Sequence, residues 1–150
     1  MPTITPFLWF DGQAEEAMQF YASIFKHSRV IATNRAQGRV ISVRFELENQ
    51  EFIALNAGPQ FKFTEAVSFE VRCKDQDEVD HYWSKLVDGG EESQCGWLKD
   101  RYGLSWQIVP ERLYELLEGP DPAVVAAATT AMLGMRKIVV AELDAAVGNS

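Results

Sequence analysis

Histidine and cysteine are scarce in this chain, with two of each in 150 residues. The cysteines, Cys73 and Cys95, supply neither a disulfide framework nor a zinc-ligand spacing. Cys73 closes an apolar, strand-like run and reads as a small buried hydrophobe rather than a reactive thiol. Basic residues are in deficit: 14 Lys and Arg face 22 Asp and Glu, a net charge of −8. That deficit excludes nucleic acid as a partner, because a phosphate backbone requires a positive footprint. The acidic residues are dispersed, as on an ordinary solvated surface. No apolar run approaches the roughly 20 residues that span a bilayer. The start, MPTITPFLWFDG, lacks a basic leader and a small-residue cleavage site. No membrane association and a cytoplasmic location are therefore expected. Two motifs are missing as well. Without G-x-G-x-x-G there is no glycine-rich cradle for a nucleotide-type cofactor at a helix N-terminus. Without G-x-S-x-G there is no nucleophile elbow.

What is present is repetition. QAEEAMQFYASIF (residues 13–25) aligns with DQDEVDHYWSKLV (75–87) at a constant offset of 62. Glu16 falls on Glu78, Phe20 on Tyr82, Tyr21 on Trp83 and Ile24 on Leu86. Each segment carries apolar residues at helical spacing, and each follows a short apolar run, Ile4–Phe10 or Ala66–Cys73. Further strand-like sequence comes after both. Val40–Glu48 alternates with a period of two, Ile41, Val43, Phe45 and Leu47 on one face. Asn49-Gln50 is the expected tight turn into Glu51–Asn56, and Gln60–Glu65 the expected linker. In the second half, Gly89-Gly90 stops the helix, and strands are expected over Glu92–Leu98 and Leu104–Val109. The strand ends ALNAGP and SWQIVP also align, setting Ala54 against Ser105 and Asn56 against Gln107. Beyond Pro110 the text turns helical and Ala-rich, with Asp121-Pro122 opening one helix and Ile138–Val147 forming the last. Such apolar stripes pack on their own domain or on a partner subunit.

ITPFLWFDGQAEEAMQFYASIF, FIALNAGP, VSFEVRCKDQDEVDHYWSKL and above all GGEESQCGWLKDRYGLSWQIVP, followed by AMLGMRK, resemble the PhnB-like family. That family also carries the label 3-demethylubiquinone-9 3-methyltransferase domain. It lies in the vicinal-oxygen-chelate superfamily with glyoxalase I, bleomycin-resistance proteins and extradiol dioxygenases. The resemblance runs from Ile4 to about Lys137. It implies an α+β fold of two βαβββ modules forming a cupped eight-stranded mixed sheet, followed by C-terminal helices. The expected organisation is one glyoxalase-like domain, with module one at about 3–59, module two at about 65–110 and a helical tail over 111–150. A homodimer is implied too.

Enzymes of the superfamily hold a divalent metal in the cup, since a Lewis acid needs lone-pair donors converging from several strands. Carried over, the ligand positions fall near Thr5, Asn56, Ser68 and Gln107. None is His, Asp or Glu, and amides and hydroxyls are weak ligands for zinc, nickel or iron. Glu70 is the one strong donor nearby, while His27 and His81 fall outside the cup, on a connecting segment and a helix. The expectation is a small-molecule site with no resident metal and no cofactor. Its candidate residues are Trp9, Asn56, Ser68, Glu70, Trp97, Ser105 and Gln107, with Phe7 beside them. Trp106, Trp83, Tyr82, Phe20 and Tyr21 read as core, and Lys99-Asp100-Arg101 as a surface ion-pair cluster. Three readings follow: a ligand-sequestering protein; a metal-dependent lyase, isomerase or dioxygenase built on Glu70 and Gln107; and a methyltransferase, for which the cofactor motif is missing.

Overall fold

The computed structural model describes residues 1–148, so Asn149 and Ser150, the end of the expected 111–150 tail, lie outside the described residues. The chain divides into two compact units, Met1–Phe63 and the remainder from Thr64. The division falls inside the expected linker. The linker's first four residues belong to the first unit, where Phe61 meets Trp9 edge-on at 4.8 Å and Phe63 meets Phe10 at 5.4 Å.

The first unit runs β1 (Phe7–Phe10), α1 (Ala14–Ile24), β2 (Ser28–Ala36), β3 (Arg39–Leu47) and β4 (Gln50–Asn56). The sheet order is β1-β4-β3-β2, with β1 and β4 parallel and the other pairs antiparallel. β1 starts three residues later than expected and Ile4 is exposed. Pro6 has no N–H to donate to a ladder, although its carbonyl still accepts from Ile53. The β3–β4 turn is Glu48-Asn49, one residue earlier than expected, with both residues at positive φ as a two-residue hairpin turn demands. Alternation in β3 and β4 buries Val43, Phe45, Leu47, Phe52 and Ala54, and α1 packs on these strands through Ala14, Ala17, Met18, Tyr21 and Ile24. Phe20 is only half-buried.

The second unit repeats the plan: β5 (Ser68–Cys73), α2 (Gln76–Val87), β6 (Glu91–Glu92), β7 (Trp97–Lys99) and β8 (Ser105–Pro110), in the order β5-β8-β7-β6 with β5 and β8 parallel. The helix starts, Ala14 and Gln76, preserve the offset of 62 seen in the sequence. Asp75 caps α2 by accepting from the Glu78 N–H at 3.0 Å, and Glu78 accepts from the Lys74 N–H in return. Val79, Tyr82, Trp83 and Leu86 of α2 are buried, as are Cys73, Leu98, Trp106 and Ile108 on the strands.

The expected strand over Glu92–Leu98 is broken into β6 and β7. Cys95 and Gly96 both sit at positive φ, and their N–H groups donate to Met135 and Arg136 carbonyls at 2.8 and 2.7 Å. A Cβ on Gly96 would lie 3.0 Å from Ile138 and 3.1 Å from the Ile108 carbonyl, so glycine is required there.

Three helices follow, α3 (Glu111–Leu117), α4 (Pro122–Leu133) and α5 (Val140–Gly148). Asp121 caps α4 through the Ala123 N–H, with Pro122 in its first turn. Val109, Leu113, Leu116, Ala128, Met135, Ile138 and Leu143 form their common core. The Gln76 amide clips the chain between α4 and α5, donating to the Ile138 carbonyl at 3.0 Å and accepting from the Val140 N–H at 2.7 Å. The tail thus packs on its own module.

Asp100 departs most from its expectation. It is 3% exposed, while its neighbours Lys99 and Arg101 do form surface ion pairs, with Glu65 and Asp88. The Asp100 carboxylate accepts from the N–H groups of Tyr102 (2.8 Å) and Leu104 (3.1 Å) and from the Trp106 indole (2.9 Å). Removing it takes the shared acceptor from three donors, two of them backbone N–H groups of the turn. Asp100→Ala is expected to lower the unfolding free energy by roughly 3–5 kcal/mol, and Asp100→Asn, which keeps one acceptor, by about half as much. Urea unfolding checks this, and a loss below about 1 kcal/mol for the alanine variant would contradict the role.

Candidate functional site

Strand alternation sorts the second sheet into two faces. Phe69, Val71 and Cys73 of β5, Leu98 of β7, and Trp106 and Ile108 of β8 share the α2 face, where Trp83 of the helix donates its indole N–H to Glu92. On the opposite face the register builds two cross-strand rows. Glu91, Lys99, Ser105 and Ser68 form one, and Trp97, Gln107 and Glu70 the other. Five expected site residues, Ser68, Glu70, Trp97, Ser105 and Gln107, therefore lie on one face of one sheet. Gln107 donates to the Ser68 hydroxyl at 2.9 Å.

Glu70 is held by two groups. Its Oε1 accepts from Arg72 Nε at 3.2 Å, and its Oε2 accepts from the Tyr114 hydroxyl of α3. The Arg72 guanidinium also lies over the Tyr114 ring, 4.2 Å from its centre. The hydrogen bond to Glu70 is the main reason the Tyr114 hydroxyl titrates above its ordinary value, burial adding to it. Tyr114 was invisible as a site residue because it lies outside the repeat, in a helix whose docking no local pattern reveals.

Ser105 is 1% exposed, and its hydroxyl finds no hydrogen-bond partner among the described residues. It contributes to the wall of a cavity of about 260 Å³ bounded also by Glu65, Glu91, Trp97 and Lys99. Lys99 binds Glu65 there, which raises the lysine's pKa and lowers the glutamate's.

The other two expected site residues, Trp9 and Asn56, belong to the first unit. Trp9, on the face of β1 away from α1, gives its indole N–H to the Gly58 carbonyl at 2.9 Å and its ring to Phe61. Asn56 pairs with Phe10 and lies on the helix side. Its Oδ1 accepts from the Ala14 N–H at 2.8 Å, capping α1 where Gln13 offers no side-chain cap, and its Nδ2 donates to the Val40 carbonyl. The expected equivalence of Asn56 and Gln107 is thereby corrected. Asn56 faces the last residue of β1, and the residue facing the last position of β5, Cys73, is Pro110. Gln107 corresponds instead to Ile53, three places back along both strands.

The donors do not fit a resident divalent metal. Among the described residues no three His, Cys, Asp or Glu side chains converge. Both Glu70 oxygens are engaged, and the Thr5 hydroxyl donates to Glu51. His27 is exposed beside Glu48, and His81 is exposed on α2. Nor does either mixed sheet offer the parallel, doubly wound crevice of a nucleotide-type cofactor site.

Cys73 is fully buried, and burial, with Glu78 and Asp75 adding to it, pushes its thiol up to about 12. Native protein at pH 8 is expected to leave Cys73 unmodified by a thiol-reactive disulfide reagent and to release it on unfolding; prompt labelling of Cys73 in the native state would contradict this. The sign of the linkage follows. Between pH 9 and about 12 the unfolded chain loses the Cys73 proton while the folded chain keeps it, so the stability this residue contributes declines across that window.

Residues 2–109 match the family described as 3-demethylubiquinone-9 3-methyltransferase. A Bacillus cereus PhnB protein, provisionally named as such a methyltransferase, is 36% identical, with a TM-score of 0.68 over 73% of this chain and 99% of that one. A Pseudomonas aeruginosa protein is similar in fold at 17% identity and a TM-score of 0.64, over 73% and 98% of the two chains. So is the fosfomycin resistance protein FosX of Listeria monocytogenes, solved with Mn(II) and sulfate, at 14% identity and a TM-score of 0.57, over 78% and 95%. No curated protein matches. The first of these likenesses extends to sequence and the other two to fold alone. With two βαβββ modules in the same strand order and a matching sequence over most of its length, the chain belongs to the 3-demethylubiquinone-9 3-methyltransferase-like (PhnB) family of the vicinal-oxygen-chelate superfamily.

Proposed function

We propose that this chain binds a small organic ligand on the polar face of its second sheet, without the metal its superfamily's enzymes use. The observation that carries the reading is the convergence of Ser68, Glu70, Trp97, Ser105 and Gln107 on that face, beside a cavity walled by Trp97 and Ser105. A half-buried aromatic next to a few fixed polar groups is the usual make-up of a small-molecule site. Within the first unit, Trp9 is held against Gly58 and Phe61, and Asn56 is taken up by its role at α1. The whole chain is read as one glyoxalase-like domain.

The ligand-sequestering role is favoured over metal-dependent lyase, isomerase or dioxygenase chemistry by the donor set, since the one carboxylate near the expected metal positions is already held by Arg72 and Tyr114, and over methyltransferase chemistry by the missing glycine-rich cofactor turn. Protein purified without chelator is expected to carry well under one equivalent of divalent metal and to show no saturable S-adenosylmethionine binding by calorimetry. Stoichiometric metal that disappears in Glu70→Ala would overturn the reading, and saturable cofactor binding would revive the methyltransferase.

A cytoplasmic homodimer completes the proposal. No helix of the described residues is long and apolar enough to cross a membrane. Phe7, Val30 and Val67 are apolar side chains 59%, 47% and 63% exposed, the kind of surface a second copy covers. Light scattering is expected to give twice the chain mass of 16.9 kDa, and a single-chain mass would contradict it.

A further inference from the structure

We propose that the polar face of the second sheet reads a neutral carboxamide edge, so that its ligand is a planar amide or lactam on a small aromatic or apolar body. The inference rests on the ligand-binding reading above and adds the chemical class.

Hydrogen-bonding capacity comes first. Trp97, Gln107 and Glu70 sit side by side in one row across β7, β8 and β5. The Gln107 amide N–H donates once, to the Ser68 hydroxyl at 2.9 Å, which fixes the side chain in place. A carboxamide has two N–H donors and a carbonyl with two lone pairs, so one bond leaves it both a donor and an acceptor. Exchanging the two ends of the amide leaves the same pair of functions. Gln107 is half-buried, and beside it the half-buried Trp97 has an indole N–H with no acceptor among the described residues. A ligand amide answers Gln107 donor for acceptor, and the Trp97 ring offers its plane a flat apolar surface.

The second observation concerns charge. Glu70, the one carboxylate of the row, is already engaged: one oxygen accepts from Arg72 and the other from Tyr114. Arg72 is spent as well, between Glu70, Glu111 and the Tyr114 ring. A charged ligand meets no free counter-ion in this row, and would lose its hydration without a return. The scaffold does not demand these polar groups either. Matched from the ends of the parallel pairs, the first sheet carries Ile53 and Phe7 where the second carries Gln107 and Glu70, and it keeps the same strand order. The polar row is an addition to the fold, with no part in closing the sheet.

Three planar compounds of one shape separate the possibilities: benzamide, benzoate and benzamidinium, titrated by calorimetry against the full chain at pH 7 and fixed ionic strength. Saturable benzamide binding is expected, about tenfold tighter than either charged compound. Gln107→Leu, aliphatic like Ile53 at the matching place, is expected to weaken benzamide by about tenfold and to erase the preference. Gln107→Glu keeps the shape and is expected to turn the preference towards benzamidinium. Tyr114→Phe frees one oxygen of Glu70 and is expected to raise benzamidinium affinity about fivefold; no gain there would overturn the masking of Glu70. A charged compound bound at least as tightly as benzamide, and lost in Gln107→Leu, would overturn the amide class and leave the ligand site standing. Benzamide binding unchanged in both Gln107 variants would overturn its location. Binding of none of the three would overturn the class and the ligand-binding reading together.

Discussion

The second module depends on one buried carboxylate. Asp100 gathers two turn N–H groups and the Trp106 indole around a single side chain, and so sets where β7 ends and where β8 begins. Trp106 is thereby drawn to the α2 face, among the buried Leu98, Ile108 and Trp83. Strand alternation does the rest: with Trp106 fixed on one side, Ser105 and Gln107 must point to the other. The polar face of this sheet is thus a consequence of how a charged group is satisfied beneath it. A carboxylate that looks like a surface residue between Lys99 and Arg101 acts as an internal cap for a whole turn.

Much of this architecture was legible in the residues. The 62-residue offset between the helices survives in the fold, and so do the apolar stripe of α2 and the alternation of β3. The faces of the terminal strands were harder to read. ALNAGP and SWQIVP match by eye as strand ends, yet the parallel partners of β1 and β5 place Asn56 and Gln107 on opposite sides of their sheets. An apolar strand buried on one face constrains the other face only through its register, and register comes from pairing with a strand tens of residues away. The Ser68, Glu70 and Gln107 cluster was recoverable because it needs parity alone, every second residue sharing a face. Glu91, Lys99 and Tyr114 needed the pairing and the tail docking, which no local pattern carries.

The two copies have parted company on one face only. On the helix face both modules bury apolar residues against an amphipathic helix, and that requirement is the same twice. On the other face, matched from the ends of the parallel pairs, Phe7, Trp9 and Ile53 of the first sheet stand where Glu70, Arg72 and Gln107 stand in the second. Helix packing forbids such change because each buried side chain has a shape to fill. The face turned away from α1 and α2 carries no such repeated constraint, and a duplicated scaffold can specialise there, as the second sheet does by meeting Tyr114 of α3.

The left-handed pair Cys95 and Gly96 bears on the order in which the chain folds. Their N–H groups are satisfied by the carbonyls of Met135 and Arg136, about forty residues downstream, while the first module closes its sheet wholly within its own sixty-three residues. During synthesis the first module has all four strands of its sheet as soon as it emerges. The segment between β6 and β7 must wait for the tail, with two backbone donors unpaired until the loop closes. Two modules of one design therefore mature on different clocks, the later one timed by helices that lie outside the repeat.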